Sequence, residues 1–166
     1  RLRAVGSARR PGPVRFRRLC VSGDCMQNPV MVGKMTTVFV NGCFDLLHVG
    51  HVRLLHFALD QGDRLIVGLN SDASVRAAKG QGRPIVPESE RLQMLYAFGA
   101  DEVVIYDDRT PFSVVVSRRP DVLVVGHDHS LACRSCDYVR DYGGQALQAP
   151  ELSGVSTTEL IERARE

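Results

Sequence analysis

The chain has 166 residues, of which 44% are hydrophobic, and it carries a formal net charge of +2. This length suffices for one domain with a buried core and is too short for two ordinary domains. No segment approaches the roughly 18 consecutive apolar residues that a membrane helix needs, so we expect a soluble protein. The five cysteines are scattered without the pattern of a disulfide framework, which favours a reducing, cytoplasmic location.

The basic residues are concentrated near the N-terminus. Residues 1–34 hold eight of the 21 basic residues and one of the 19 acidic residues, together with Pro and Gly in an aperiodic pattern. We therefore expect a disordered basic N-terminal extension over residues 1–34, followed by one domain over residues 35–166. An Arg-rich targeting peptide and a nucleic-acid-binding arm are the alternatives for the extension. The net acidic charge of the remaining residues disfavours nucleic acid as a partner.

From residue 36 onward, short apolar runs alternate with amphipathic segments at the spacing of βα units. Strands are predicted over residues 37–41, 64–69, 102–106, 122–125 and 146–148. Helices are predicted over residues 50–61, 72–78, 87–98, 112–118 and 136–142, and from residue 156 onward. The predicted fold class is α/β, a Rossmann-like doubly wound sheet of five parallel strands with helices on both faces. Ligands of such sheets bind beyond the carboxyl ends of the strands.

The junction between the first strand and the first helix, residues 41–51, combines features of an anion site. Free backbone N–H groups and the positive end of a helix dipole meet there, which suits a phosphate. His48 and His51 are three residues apart with Gly50 between them, so both imidazoles can face one phosphate. The chain has neither a P-loop nor a GxGxxG fingerprint that would explain the sheet differently. Candidates for contacting a nucleotide at the start of the junction are Asn41, Gly42, Cys43 and Phe44.

The letters GCFDLLHVGH at residues 42–51 resemble the HxGH signature of the nucleotidyltransferase superfamily, in its cytidylyltransferase-like branch. The resemblance continues in order through LNSD at 69–72, KG at 79–80, PDVLV at 120–124 and STTE at 156–159. Within the branch, the chain is most similar to the nucleotidyltransferase domains of ADP-heptose synthases, and more distantly to glycerol-3-phosphate cytidylyltransferases. The resemblance implies an enzyme that joins a nucleoside monophosphate from an NTP to a sugar phosphate, with ATP and heptose 1-phosphate as the implied pair.

The resemblance also implies roles for individual residues. His48 and His51 would donate hydrogen bonds to the phosphates and Lys79 would supply a mobile positive charge, so these three are the predicted catalytic residues. Further nucleotide-binding residues implied by the resemblance are Arg91, Gly126, Asp128, Ser156, Thr157 and Thr158. Mg²⁺ is the implied cofactor, with Asp45 and Asp128 as candidate ligands.

Several of these residues also have purely structural interpretations. Arg91 follows Glu88 by three positions, which suits an ion pair on one helix face. Ser156 and Glu159 have the spacing of a capping box. Asp45 suits a cap of the turn that follows it. These interpretations remain open beside the functional ones.

The segment after the fourth strand departs from the resemblance. Many heptose-type members resemble KGGDY here, whereas this chain has Val125, His127 and His129 at the first, third and fifth positions. The identity of the acceptor is therefore open. Two histidines and two cysteines within ten residues also have the ligand types of a zinc site, although their spacing is irregular.

Two other functions remain as alternatives to a heptose-type enzyme. One is a cytidylyltransferase acting on glycerol 3-phosphate or an amino-alcohol phosphate. The other is a nucleotide-binding module without turnover. The expected partners are an NTP and a sugar or polyol phosphate, without a membrane, and a homodimer is expected by analogy with relatives.

Overall fold

The computed structural model describes residues 3–4, 34–150 and 157–164. Its strands are β1 Arg3–Ala4, β2 Thr37–Gly42, β3 Arg64–Asn70, β4 Glu102–Tyr106, β5 Val122–Val125 and β6 Gln145–Gln148. Its helices are α1 Val49–Leu59, α2 Asp72–Lys79, α3 Glu88–Ala97, α4 Phe112–Arg118, α5 Arg134–Asp141 and α6 Thr157–Arg163. Within this part of the chain, no helix combines the length and the apolar character needed to cross a bilayer.

The strands form one sheet in the order β1-β4-β3-β2-β5-β6, and β2 to β6 are all parallel. The predicted doubly wound parallel sheet is thus confirmed. The chain winds outward from β2 through β3 to β4 and then returns to place β5 on the other side of β2. The reversal makes the carboxyl ends of β2 and β5 the expected ligand-binding position of the fold.

The sheet also contains a strand that the sequence did not predict. Arg3 and Ala4 pair antiparallel with Ile105 and Val104 at the edge formed by β4. Disorder was expected for the whole of residues 1–34, whereas Arg3 and Ala4 are described as paired. The division of the chain at residue 34 stays a prediction. Lys34 is described as well, and its Nζ lies 2.6 Å from Asp121 Oδ1. The rest of the expected extension lies outside the described residues.

Each face of the sheet carries its own buried cluster. On one face, side chains of β2 and β3 pack against Leu55 and Ala58 of α1 and Leu95 of α3. On the other face, Phe39 and Ile66 pack with side chains of α4 and α5. Burial on both sides explains why β3 reads as a continuous apolar run rather than an alternating one. The two layers of helices hold the carboxyl ends of β2 and β5 in fixed positions.

One predicted helix end differs from the structure, and a second lies outside the described residues. The first helix was predicted to end at residue 61 and ends at Leu59. Gly62 lies beyond that end and is closely packed, since a Cβ there would lie 2.7 Å from Thr36 O. The last helix begins at Thr157. Ser156, and with it the predicted capping box to Glu159, lies outside the described residues.

Candidate active site

The junction of residues 41–51 begins with a sharp turn after β2. Phe44 adopts a left-handed backbone conformation with φ of 48° and is buried. A Cβ at Gly42 would lie 3.1 Å from the Phe44 ring, so a larger residue there would press against this buried ring. Asn41 Nδ2 donates to the Tyr106 hydroxyl at 3.3 Å, and that hydroxyl donates to Asn70 Oδ1 at 3.0 Å. The ends of three neighbouring strands are thereby tied together beside the junction.

His48 forms the N-cap of α1. Its Nδ1 accepts a hydrogen bond from the Gly50 N–H at 3.1 Å, in place of the usual Ser, Thr, Asp or Asn oxygen. Because Nδ1 is the acceptor, the proton of the neutral imidazole lies on Nε2, which is therefore a donor. The rings of His48 and His51 are stacked with their centroids 3.9 Å apart. The structure thus brings together the two histidines that the sequence predicted to act on one phosphate.

His51 lies in the first turn of α1 against the ring of Phe44, at a centroid distance of 5.3 Å. Among the described residues, its Nδ1 is buried and has no hydrogen-bond partner. A buried polar atom without a partner costs about 1–3 kcal/mol, so this position is suited to receiving a ligand. Burial, and then the charges of His48 and Lys79, lower the pKa of His51 to about 4. The imidazole is therefore neutral at pH 7.

We expect this lowered pKa to make the protein less stable in mild acid. As the pH falls from 6.5 toward 4, the unfolded chain protonates His51 while the folded chain does not, so the free energy of unfolding decreases. The loss attributable to this group should reach roughly 2–3 kcal/mol. Urea unfolding between pH 7 and pH 4.5 should show a smaller loss for His51→Leu than for the unchanged chain. The exposed His56 on the same helix provides the control. If His56→Leu reduces the acid-induced loss of stability as much as His51→Leu does, this prediction is wrong.

Lys79 ends α2 and is exposed, and its charge acts on both His51 and Cys43. It lines a cavity of about 520 Å³ together with Gly82, Arg83 and Ile85, a volume typical of small-molecule sites. Residues of α6, including Thr158, line the same cavity. Lys79 and the start of the last helix therefore share one cavity. His48 and His51 are not among the residues that line this cavity. Lys79 lines it and also acts electrostatically on His51, so this lysine links the histidine pair to the start of the last helix.

Asp45 has a structural role that the sequence left as an alternative. It is 1% exposed, and its carboxylate accepts hydrogen bonds from Arg83 Nε at 2.5 Å and from the Ile85 and Val86 N–H groups at 2.9 and 3.0 Å. Burial raises the pKa of Asp45, but these donors outweigh it and the pKa is lowered. Asp45 thus anchors the loop of residues 83–86. Its metal-binding role stays a prediction.

Arg91 is 0% exposed and makes contacts that differ from the predicted ones. Its guanidinium donates to the backbone oxygens of Cys43, Asn70 and Val86 and to Asp72 Oδ1. The ion pair with Glu88, which the sequence left as an alternative, is not among these bonds. Arg91 lies behind the junction and fixes the backbone that follows β2 and β3, so the geometry gives no support to direct contact with a nucleotide.

The loop after β5 supplies the remaining predicted residues. A Cβ at Gly126 would lie 2.7 Å from Asp128 Oδ1, so the carboxylate folds back over this glycine. Gln148 Nε2 holds the loop by donating to the backbone oxygens of His127 and His129 at 2.9 and 2.8 Å. The charge of Asp128 acts on His51. β2 and β5 are parallel neighbours in the sheet, so their carboxyl ends lie side by side, as the fold predicts.

A family model described as Cytidylyltransferase-like matches residues 39–163, from β2 to the end of α6. The chain belongs to the cytidylyltransferase-like family.

Three curated proteins named "Bifunctional protein HldE" are similar to it. The protein of Koribacter versatilis is 51% identical over 128 residues, covering 76% of this chain and 26% of that protein. The protein of Syntrophotalea carbinolica is 48% identical, covering 77% and 26%, and that of Citrifermentans bemidjiense is 40% identical, covering 96% and 33%. The chain thus spans a quarter to a third of the length of these relatives.

A solved structure supports the fold alone. The lipopolysaccharide core biosynthesis protein from Thermoplasma volcanium matches with a TM-score of 0.60 at 23% identity, covering 72% of this chain and 100% of that one. A protein of unknown function from Archaeoglobus fulgidus matches with a TM-score of 0.56 at 20% identity. These two proteins therefore share the fold of this chain, although their sequence identity to it is low.

Metal binding in this cytidylyltransferase-like site can be assessed from its carboxylates. In residues 3–4, 34–150 and 157–164, no group of three or more His, Cys, Asp or Glu side chains could hold a metal ion. This counts against the zinc site considered for the two histidines and two cysteines after β5. Asp128, in contrast, is exposed, and its Oδ1 lies 3.3 Å from His129 Nδ1. One carboxylate with phosphate oxygens suffices for Mg²⁺, so Asp128 fits a metal that arrives with a nucleotide.

The sequence did not single out Tyr106, and it gave Asn70 only within the LNSD segment of the resemblance, without a role of its own. Both are the last residues of their strands, and both occupy the same edge as Asn41. The available signal was their position at the carboxyl ends of predicted parallel strands. Burial raises the pKa of Tyr106 well above its ordinary value, although the hydrogen bonds with Asn41 and Asn70 act to lower it, so its hydroxyl stays protonated as a donor.

Proposed function

We propose that the chain is a nucleotidyltransferase that transfers a nucleoside monophosphate from an NTP to a phosphorylated sugar. The favoured pair is ATP and heptose 1-phosphate, giving ADP-heptose and pyrophosphate. Family membership supports the reaction class. The observation that carries the proposal is the stacked pair of His48 and His51 at the start of the helix that follows the central strand. The buried Nδ1 of His51 has no hydrogen-bond partner within the described part of the chain.

In the proposed reaction, an oxygen of the acceptor phosphate forms a bond to the α-phosphorus of the NTP, and the bond from that phosphorus to the β-phosphate oxygen breaks. Negative charge then grows on the α-phosphate oxygens and on the departing pyrophosphate. The enzyme needs donors fixed in advance for this charge and no covalent nucleophile. His48 would donate through Nε2, and the neutral His51 would donate from the first turn of α1.

Lys79 and the last helix are proposed to hold the leaving group. Lys79 is an exposed point charge that lines the same cavity as Thr158, which suits the β- and γ-phosphates. Thr157 and Ser156 are proposed to assist there, as the family resemblance implies. Mg²⁺ held by Asp128 and by phosphate oxygens would supply further neutralisation of the triphosphate charge.

The substrate pair is proposed on the resemblance to heptose-type enzymes and is open to test. A cytidylyltransferase acting on glycerol 3-phosphate is the second candidate, favoured by the description of the matching family. A cytoplasmic location and a homodimer are retained as proposals.

A pyrophosphate-release assay should cross the four NTPs with heptose 1-phosphate, glycerol 3-phosphate and phosphoethanolamine. We expect release with ATP and heptose 1-phosphate and little release with the other pairs. In the active pair, Lys79→Ala should lower the rate, whereas Arg76→Ala, exposed on the same helix, should leave it unchanged. Activity with CTP and glycerol 3-phosphate would select the second candidate. Tight nucleotide binding without release in any pair would contradict a transferase and indicate a binding module.

A further inference from the structure

Two cysteines meet at the start of α5, outside the residues assigned to the transferase reaction. Cys133 is the N-cap of the helix, and its Sγ accepts a hydrogen bond from the Cys136 N–H at 3.3 Å. The two sulfur atoms are 2.8 Å apart, and both cysteines are free. Cys136 is 0% exposed, whereas Cys133 is partly exposed. The helix start therefore holds one accessible thiol directly against one buried thiol.

We propose that Cys133 and Cys136 form a reversible dithiol–disulfide pair that exchanges with low-molecular-weight disulfides. A disulfide bond is about 2.05 Å long, so little movement separates the contact from the bond. Two intervening residues at a helix N-terminus are also the arrangement of Cys-x-x-Cys redox motifs. The proposal does not depend on the transferase function.

The difference in exposure gives the two thiols different roles. The Cys133 thiolate attacks one sulfur of the small disulfide, breaks its S–S bond and releases one thiolate. Cys136 then gives up its proton to solvent, and its sulfur attacks the Cys133 sulfur and expels the second thiolate. The protein loses two electrons and two protons, and the small disulfide is reduced to two thiols.

The surroundings of Cys136 are consistent with this order of attack. Burial, and then the adjacent Cys133 thiol, raise the pKa of Cys136 to about 12. Cys136 is therefore a poor nucleophile toward a reagent in solution. It becomes reactive only toward the sulfur that already touches it. A zinc site is disfavoured, because no third ligand joins the pair within the part of the chain that the structure describes.

The test uses the full chain, reduced, desalted and incubated with oxidised glutathione before acid quenching, alkylation and tryptic mass mapping. Trypsin cleaves after Arg134, so a bond between the two cysteines keeps two peptides joined, one ending at Arg134 and one beginning at Ser135. We expect these joined peptides, with loss of two hydrogen masses and of both alkylation sites, and recovery of both sites after dithiothreitol.

Three variants distinguish the proposed steps. Cys136→Ser should stop at a glutathione adduct on Cys133, and Cys133→Ser should give neither the adduct nor the joined peptides. Cys43→Ser is the matched control, because Cys43 Sγ contacts Asn70 Oδ1 at 3.8 Å and not the sulfur atoms of Cys133 and Cys136. This variant should give the same joined peptides as the unchanged chain. Four outcomes would each overturn the proposal. They are alkylation of both cysteines after oxidation, a lasting glutathione adduct in the unchanged chain, a disulfide to another cysteine, and stoichiometric zinc bound by the two thiols.

Discussion

Replacing His51 with leucine is expected to lower the rate of pyrophosphate release by a factor of about 10²–10³, while the chain remains folded. The variant removes one donor from the stacked pair at the start of α1. Because that donor would act on charge that develops in the reaction, kcat should fall more than KM rises. Steady-state kinetics with ATP and heptose 1-phosphate, or with whichever pair proves active, provide the measurement.

The same variant should not destabilise the protein at neutral pH. Leucine fills much of the space of the imidazole beside Phe44 and removes the buried Nδ1 that has no partner among the described residues. Leaving such an atom unpaired costs about 1–3 kcal/mol, so His51→Leu should equal or exceed the unchanged chain in its free energy of unfolding.

A control separates this functional effect from a general effect on the helix. His56→Leu, at an exposed position of α1, should retain full activity. If His51→Leu is as active as this control, the assigned role of His51 is wrong. If it is inactive because it is unfolded, the argument that His51 lowers stability is wrong.

The fold was predictable because each strand and helix carries a strong local pattern. β4, α4 and β5 have the predicted bounds, and the other predicted elements that are described differ by one or two residues at their ends. The strands of a parallel sheet covered on both faces are continuous apolar runs, which the sequence displays directly. Arg3–Ala4 was missed because a two-residue strand has no period and depends on pairing with β4.

The helix starts show a second limit of the sequence. α1 begins with a histidine cap and α5 with a cysteine cap, and neither residue type is a common N-cap. The pattern therefore placed the start of α1 at residue 50 and that of α5 at residue 136. The contacts that define these caps come from side chains that the sequence singled out for chemistry rather than for helix initiation.

The candidate site was predicted in part. The sequence placed His48 and His51 together and put Lys79 and Thr158 near phosphates, and the structure has the histidines stacked and the other two lining one cavity. It could not assign Arg91, because the same letters allow a nucleotide contact, a surface ion pair or a buried anchor. Only the positions of the surrounding carbonyl groups distinguish these three.

Replacing Arg91 with methionine is expected to cost about 3–5 kcal/mol of unfolding free energy. The guanidinium is fully buried and donates to the backbone oxygens of Cys43, Asn70 and Val86. Methionine retains the apolar stem but leaves these carbonyls without their donor. Asp72 also loses its partner at 2.6 Å, so a carboxylate is left uncompensated. Urea unfolding at pH 7 measures the loss.

The matched control is Arg53→Met, at an exposed position of α1, which should change stability by no more than about 0.5 kcal/mol. Asp72→Asn provides a milder second variant if Arg91→Met does not fold. Asp72 Oδ1 accepts from both Arg91 and the Glu88 N–H, and Glu88 Oε2 accepts from the Asp72 N–H. Weakening this reciprocal cap between α2 and α3 should cost about 1–3 kcal/mol. If both variants match the Arg53 control, Arg91 does not anchor the junction, and the nucleotide contact first predicted for it would again be the better interpretation.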